Sequence, residues 1–222
     1  MISHIAIIPD GSRRYSKKYK ISLKESYQLG IDQLFKISKY FFENGYGVDE
    51  ISYFGFSENN WKREKSQIEL LHNLFLKNAK QFFRRKNELK NIQIRFFGDL
   101  SKFNKSLIEA LLKVSKNTVG GRGQGKKIIN IGLNYSFENE INDILDKMNI
   151  NSFENFKNNL QVKNNIDLVV RTGKHQRISG FLPIQSRNAE FYFTEKLWGE
   201  LNEKEIKKII HWYNRQKFNY GK

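Results

Sequence analysis

The chain has 222 residues but no cysteine, two prolines and four histidines. Without cysteine, disulfides, thiolate metal sites and a cysteine nucleophile are excluded. With no signal-like apolar segment either, the expectation is a reducing, cytoplasmic compartment. No run approaches the ~18 uninterrupted apolar residues that span a bilayer, so any membrane contact is expected to be peripheral. Nothing Pro-rich, Ser-rich or repetitive reads as a linker, and one domain over residues 1–222 is expected. Acidic residues are in deficit: 23 Asp and Glu against 39 Lys and Arg leave a formal charge of +16. That excess suits nucleic acid, an anionic membrane surface or small polyanions such as diphosphates, and composition does not choose among them. His4, His72, His175 and His211 show no metal-ligand spacing.

What is present can build a core. Hydrophobic residues make up 39% of the chain and include eighteen Phe and ten Tyr, enough to bury a sizeable interior despite the charge. Short β-rich runs at His4–Ile8, Glu50–Phe56, Ile92–Phe97, Lys127–Leu133, Ile166–Val170 and Glu190–Phe193 alternate with helical patterns. That alternation predicts an α/β fold: a mostly parallel six-stranded sheet flanked by helices. Helices are expected from about Leu23 to Asn44, stopped by Asn44-Gly45, and from about Ser66 to Lys86. Their apolar stripes suit core packing, and two such helices could also line an apolar slot.

In open parallel sheets, loops and helix N-termini converge on the carboxyl ends of the strands, where ligands collect. Three polar segments fall there. After the first strand comes Asp10-Gly11-Ser12-Arg13-Arg14. Pro-Asp-Gly is ordinary turn chemistry, but a carboxylate beside two guanidiniums and a glycine also suits a magnesium-bound phosphate. After the second strand, Phe56 to Glu64 offers Asn60, Trp61 and Arg63, or simply a capped loop entering a helix. After the fifth, Arg171 to Ser179 carries Arg171, Arg177 and Ser179 around Gly173, with His175 inside it. Two arginines and a hydroxyl suit a second phosphate group, and a basic surface loop is the plainer alternative. The segment "GGRGQGK" at Gly120–Lys126 does not have the order of a phosphate loop, because a lysine and a strand follow its own lysine. It reads as a connection.

The segments "HIAIIPDGSRRYSKK", "YFGFSENNWKRE", "GLNYS", "DLVVRTGKHQRIS" and "NAEFYFTEKLW" resemble, in sequence and spacing, the landmarks of the cis-prenyltransferases, the family of undecaprenyl diphosphate synthases. The likeness covers nearly the whole chain. It implies a magnesium-dependent condensation of isopentenyl diphosphate with an allylic diphosphate to give a Z-prenyl diphosphate, an apolar tunnel for the prenyl tail, and a homodimer with no nucleic-acid partner. It implies that Asp10 holds Mg2+ with Glu190 as second metal carboxylate, and that Gly11, Ser12, Arg13 and Arg14 cradle the departing diphosphate, with Tyr15 and Tyr27 at the same substrate. Asn60 matches the proton acceptor, with Ser57, Trp61 and Arg63 beside it, and Arg171, Arg177 and Ser179 match the isopentenyl diphosphate site.

Some positions depart from the family pattern. Asp-Gly-Ser replaces the usual Asp-Gly-Asn, Pro9 stands for a methionine, Leu23 and Tyr27 stand where an Arg and a His serve the allylic diphosphate, Asn59 replaces an acid, Lys174 replaces a glycine, and "KFNYGK" replaces the C-terminal Arg-x-Gly. The segments "IPDGSRRYS" and "FLPIQSRNAE" resemble the branch containing cyclolavandulyl diphosphate synthase, whose members join two dimethylallyl diphosphates irregularly. The stretch between Leu133 and Asp167 is also short for a long-chain synthase. A short-chain product is therefore expected, with irregular head-to-middle coupling as the alternative.

Overall fold

Six strands form one sheet in the order β3-β4-β2-β1-β5-β6. They are β1 (His4–Ile8), β2 (Glu50–Ser57), β3 (Ile92–Phe97), β4 (Lys127–Tyr135), β5 (Leu168–Arg171) and β6 (Glu190–Phe193), and every neighbouring pair is parallel. The structure is a computed structural model and describes residues 1–82, 91–118, 127–147 and 149–216. Its helices are α1 (Ser12–Tyr19), α2 (Leu23–Glu43), α3 (Lys65–Phe82), α4 (Lys105–Asn117), α5 (Phe137–Lys147), α6 (Phe153–Asn159) and α7 (Glu203–Asn214), with short 3-10 turns between.

Central strands of a parallel sheet are covered on both faces, so they need unbroken apolar sequence. All five residues of β1 are buried. Ile5 and Ile7 enter the larger core with residues of α2, α3, α4 and α7, while Ala6 and Ile8 meet Val169, Phe181 and Leu182 in a second core on the other face. Helix α2 begins at a reciprocal capping box: the Ser22 hydroxyl accepts from the Glu25 N–H at 3.1 Å and the Glu25 carboxylate accepts from the Ser22 N–H at 2.8 Å. It ends where Asn44 bonds back to the Tyr40 carbonyl at 2.8 Å and Gly45 turns left-handed.

Two boundaries differ from the sequence expectation for identifiable reasons. The fifth strand starts at Leu168 rather than Ile166, because the Ile166 N–H donates to the Gln185 carbonyl and the Asp167 carboxylate accepts from the N–H groups of Ser3 and His4. The fourth runs on to Tyr135, since bulges after Phe54 keep it in register with Ser57. The last residues expected in the second long helix, 83–86, and the connection at Gly120–Lys126 lie outside the described residues.

Strand order positions the site. From β1 the chain passes to β2 on one side, whereas from β5 it passes to β6 on the other. The loops leaving β1 and β5 therefore diverge and open a crevice at their carboxyl ends, the place where such sheets bind ligands.

Helix α1 is tied across that crevice by Glu200, whose Oε1 accepts from Lys18 at 2.5 Å and from Tyr19 at 2.8 Å and whose Oε2 accepts from the Leu197 N–H at 2.8 Å. Burial works to raise the Glu200 carboxyl, but these bonds outweigh it and hold the group at about 2. A depressed folded value means that the stabilisation is complete above the ordinary carboxyl range of ~4.3 and fades as pH falls from there towards 2. Lys18 is more than half exposed, so screening limits the effect to about 1 kcal/mol. Glu200→Gln is expected to lower Tm at neutral pH, with the gap to the parent narrowing steadily below about pH 4 in thermal melts.

Candidate active site

The Pro9-Asp10-Gly11 turn leaves β1 at the crevice, and its backbone is fixed from β5. The Thr172 hydroxyl accepts from the Asp10 N–H and donates to the Asp10 carbonyl, both at 2.9 Å, and the Trp198 N–H donates to the same carbonyl at 3.0 Å. Gly11 has a left-handed φ of 112°, and a Cβ there would stand 2.7 Å from Leu197 Cδ2, so no side chain fits. Gly173 is similarly constrained, since a Cβ would lie 2.6 Å from the Arg14 guanidinium and 3.1 Å from the Asp10 carbonyl oxygen.

These constraints aim one carboxylate at two guanidiniums. Asp10 Oδ1 is 3.1 Å from Arg14 Nη2, and Oδ2 is 2.9 Å from Arg171 Nη2. Arg14 also donates to the Gly173 carbonyl at 2.7 Å. Arg171 is buried and donates to the Arg177 carbonyl at 2.5 Å and the Ser179 hydroxyl at 2.8 Å, yet its Nε is buried with no partner. A buried guanidinium with an unused donor is an incomplete site for an oxyanion. The Arg177 side chain is exposed, and Ser179 adopts a left-handed φ of 53°.

Below Asp10 opens a cavity of about 780 Å3. Its mouth carries Asp10, Arg13, Arg14, Lys17, Arg63 and His175, with Gly11 and Ser12 between them; its interior passes between α2 and α3 to Ile94, Leu111 and Val114. Arg63 is shifted downward chiefly by burial and also by Arg13, against which Tyr27 and Asp10 favour its charge. Tyr27 is buried and lines the neck, and its hydroxyl makes no well-formed hydrogen bond. The sequence allows a slot between these two helices beside core packing, and the structure shows one, lined among others by Phe35 and Phe82, whose rings are 6.4 Å apart between centroids.

Other expected residues stand elsewhere. Tyr15 packs against Tyr19, with ring centroids 4.3 Å apart and planes tilted by 34°, and against Gly199, away from the cavity lining. Trp61 is a packing residue: it sits among Phe56, His72 and Phe103, and its indole donates to Asn134 Oδ1 at 2.6 Å. Ser57 and Asn60 close a 3-10 cap, with the Ser57 N–H donating to Asn60 Oδ1 at 3.2 Å. Glu190 opens β6 and pairs with Leu168, which pairs with Ile5. It therefore lies at the amino end of the sheet, while Asp10 follows the carboxyl end, and a parallel register cannot bring the two together within one chain. Among the described residues no cluster of three or more His, Asp or Glu could hold a metal. Thr172 and Trp198 are functional supports that the sequence analysis missed. Only the neighbourhood of Thr172, between Arg171 and Gly173, could have pointed to one of them.

The family described as "Putative undecaprenyl diphosphate synthase" matches residues 8–221. An isoprenyl transferase of Campylobacter jejuni (strain RM1221) is 30% identical over 229 residues, covering 100% of this chain and 99% of the relative. The ditrans,polycis-undecaprenyl-diphosphate synthase ((2E,6E)-farnesyl-diphosphate specific) of Buchnera aphidicola subsp. Schizaphis graminum is 33% identical, covering 99% of this chain and 91% of the relative. The crystal structure of lavandulyl diphosphate synthase from Lavandula x intermedia in complex with dimethylallyl diphosphate superposes with a TM-score of 0.88 at 22% identity, covering 100% of this chain and 98% of that one, a likeness of fold. The chain belongs to the undecaprenyl diphosphate synthase family of prenyltransferases.

Thr172→Val keeps the shape but leaves the Asp10 N–H and carbonyl without that partner. The carbonyl keeps the Trp198 N–H and the N–H keeps the Ile8 carbonyl, so urea unfolding is expected to show a loss of about 0.5–1.5 kcal/mol, the net worth of one hydrogen bond.

Proposed function

We propose, with that membership as premise, that this chain is a single-domain enzyme, residues 1–222, that condenses isopentenyl diphosphate with an allylic diphosphate to a short Z-prenyl diphosphate. It would act as a cytoplasmic homodimer with Mg2+. The observation that carries the proposal is the Asp10 carboxylate between Arg14 and Arg171 at the mouth of an apolar tunnel. Diphosphate and prenyl tail call for these two environments side by side.

Asp10 fits a hard cation. Mg2+ is commonly held by one or two carboxylates and completed by substrate phosphates, and Asp10 is a lone carboxylate with nearby cations that would bind those phosphates. Bound there, the ion would neutralise charge developing on a leaving diphosphate. The chain's own groups do the rest. Gly11 lets the substrate approach the backbone, while Ser12, Arg13 and Arg14 supply donors to the leaving group. Arg63 and Tyr27 stand at the neck, where the first isoprene unit meets its diphosphate. Arg171, with its unpaired Nε, and Arg177 and Ser179 hold the isopentenyl diphosphate. Fixed guanidiniums favour the more highly charged leaving group over the intact ester, which lowers the barrier rather than tightening binding uniformly.

The tunnel bears on length. From Gln67 to Phe82 the α3 face along it rises roughly 22 Å, whereas a five-carbon repeat of four bonds extends about 5 Å. About four units fit before the Phe35 and Phe82 rings, which favours a short chain, and a longer one than the ten carbons of a lavandulyl product.

Incubation with radiolabelled isopentenyl diphosphate, dimethylallyl or longer allylic diphosphates and Mg2+ is expected to label prenyl diphosphates in the wild type and none in Asp10→Ala. A branched ten-carbon diphosphate formed from dimethylallyl diphosphate alone, with no isopentenyl label incorporated, would replace this proposal with irregular coupling. Phe82→Ala is expected to shift products at least one five-carbon unit longer, read by mass after dephosphorylation.

A further inference from the structure

The proposed condensation releases a proton from carbon 2 of isopentenyl diphosphate, and a basic side chain at the mouth is placed to take it. The Asn60 carboxamide is a very weak base, and its Oδ1 already accepts from the Ser57 N–H. It also stands outside the cavity lining among the described residues. Of the charged and basic groups that do line it, Arg13, Arg14, Lys17 and Arg63 are cations, which leaves Asp10 and His175. Both oxygens of Asp10 are engaged by guanidiniums.

The backbone before His175 is strained and pinned. Gly173 and Lys174 are consecutive left-handed residues, with φ of 82° and 78°. A left-handed lysine is costly unless neighbours fix it. Three hydrogen bonds fix this one: the Gly173 N–H to the Lys196 carbonyl at 2.7 Å, the Lys174 N–H to the Thr194 carbonyl at 2.9 Å, and Arg14 to the Gly173 carbonyl. The bend sets His175 on the cavity mouth, in the same segment as Arg171, Arg177 and Ser179.

We propose that His175 is a catalytic residue of this chain, the general base that removes the carbon-2 proton. This rests on the reaction proposed above. The double-bond electrons of isopentenyl diphosphate form the new bond from carbon 4 to the allylic carbon 1, whose bond to oxygen breaks and leaves its pair on diphosphate. The imidazole takes the proton from carbon 2, the released pair forms the carbon 2–carbon 3 double bond, and the imidazolium returns its proton to water.

His175 is exposed, so His175→Gln and His175→Ala are expected to fold, checked by circular dichroism. Both are expected to lose ~10²–10⁴-fold in kcat with KM for isopentenyl diphosphate little changed, the range for loss of a general base. Isopentenyl diphosphate deuterated at carbon 2 is expected to show a larger kinetic isotope effect with the variants than with the wild type, and added imidazole to restore part of kcat in His175→Ala. A kcat within about threefold of wild type, a loss confined to KM, an unchanged isotope effect or no rescue by imidazole would each overturn the assignment. A wild type that incorporates no isopentenyl diphosphate would instead sink the underlying reaction, and the assignment with it.

Discussion

The carboxylate of Asp10 is shared between a guanidinium from helix α1, which follows it, and one from a strand more than 160 residues away. That sharing fixes the geometry of everything around it. It binds the carboxyl ends of β1 and β5 to each other on the side-chain level, as Thr172 and Trp198 bind them on the main-chain level. Because Arg171 is buried, removing Asp10 would leave an uncompensated charge inside the rim, whereas an arriving oxyanion can take over the carboxylate's part. The pair holds the site in shape and also presents it as exchangeable.

The same sheet separates two media. Strand β1 leads into Asp10 two residues beyond its end, while Ile5 and Ile7 join the core that also contains Leu34, Leu71 and Leu74 of the tunnel-forming helices. Residues such as Leu34 and Leu71 therefore serve twice, packing in that core and facing the cavity. A tunnel made this way is bounded by side chains whose removal costs stability, so its width and floor are coupled to the fold. The polar neck of Tyr27 and Arg63 lies where the apolar walls meet the cationic mouth. A substrate with a charged head and a branched hydrocarbon tail is complementary to both halves, and neither half alone would recognise it.

Much of this was legible in the chain. Apolar runs bounded by Asp, Gly and Ser gave all six strands to within two residues, because a strand buried on both faces has little freedom of composition. The stripes of the two long helices suited core packing and allowed a slot, and the structure uses them for both. The resemblance supplied Asp10, Arg14 and Arg171, which the structure brings together. A sequence motif carries no register, and it is the pairing with Leu168 that shows which end of β6 Glu190 occupies. For Trp61 and Tyr15 adjacency to a motif does not say which side of a turn a ring faces; Trp61 packs against Phe56 and Tyr15 against Tyr19. Thr172 was invisible because a threonine beside an arginine looks like any strand end until its hydroxyl is seen bridging both groups of Asp10.

The charge of the chain acquires a local meaning at this mouth. Four cationic side chains, Arg13, Arg14, Lys17 and Arg63, line it with one carboxylate, and Arg171 stands behind. Burial disfavours the charge on Arg63 and the neighbouring Arg13 adds to that, so the cations of this mouth are crowded. Such crowding is stable only while Asp10 and water offset it, and it is relieved by a ligand carrying several negative charges in a compact group. A diphosphate meets that description better than a nucleic-acid backbone, whose charges are spread one per residue along a line that cannot enter a crevice. The field focused by the crevice would also draw such an anion in from solution, and the apolar walls below would then select among anions by what they carry.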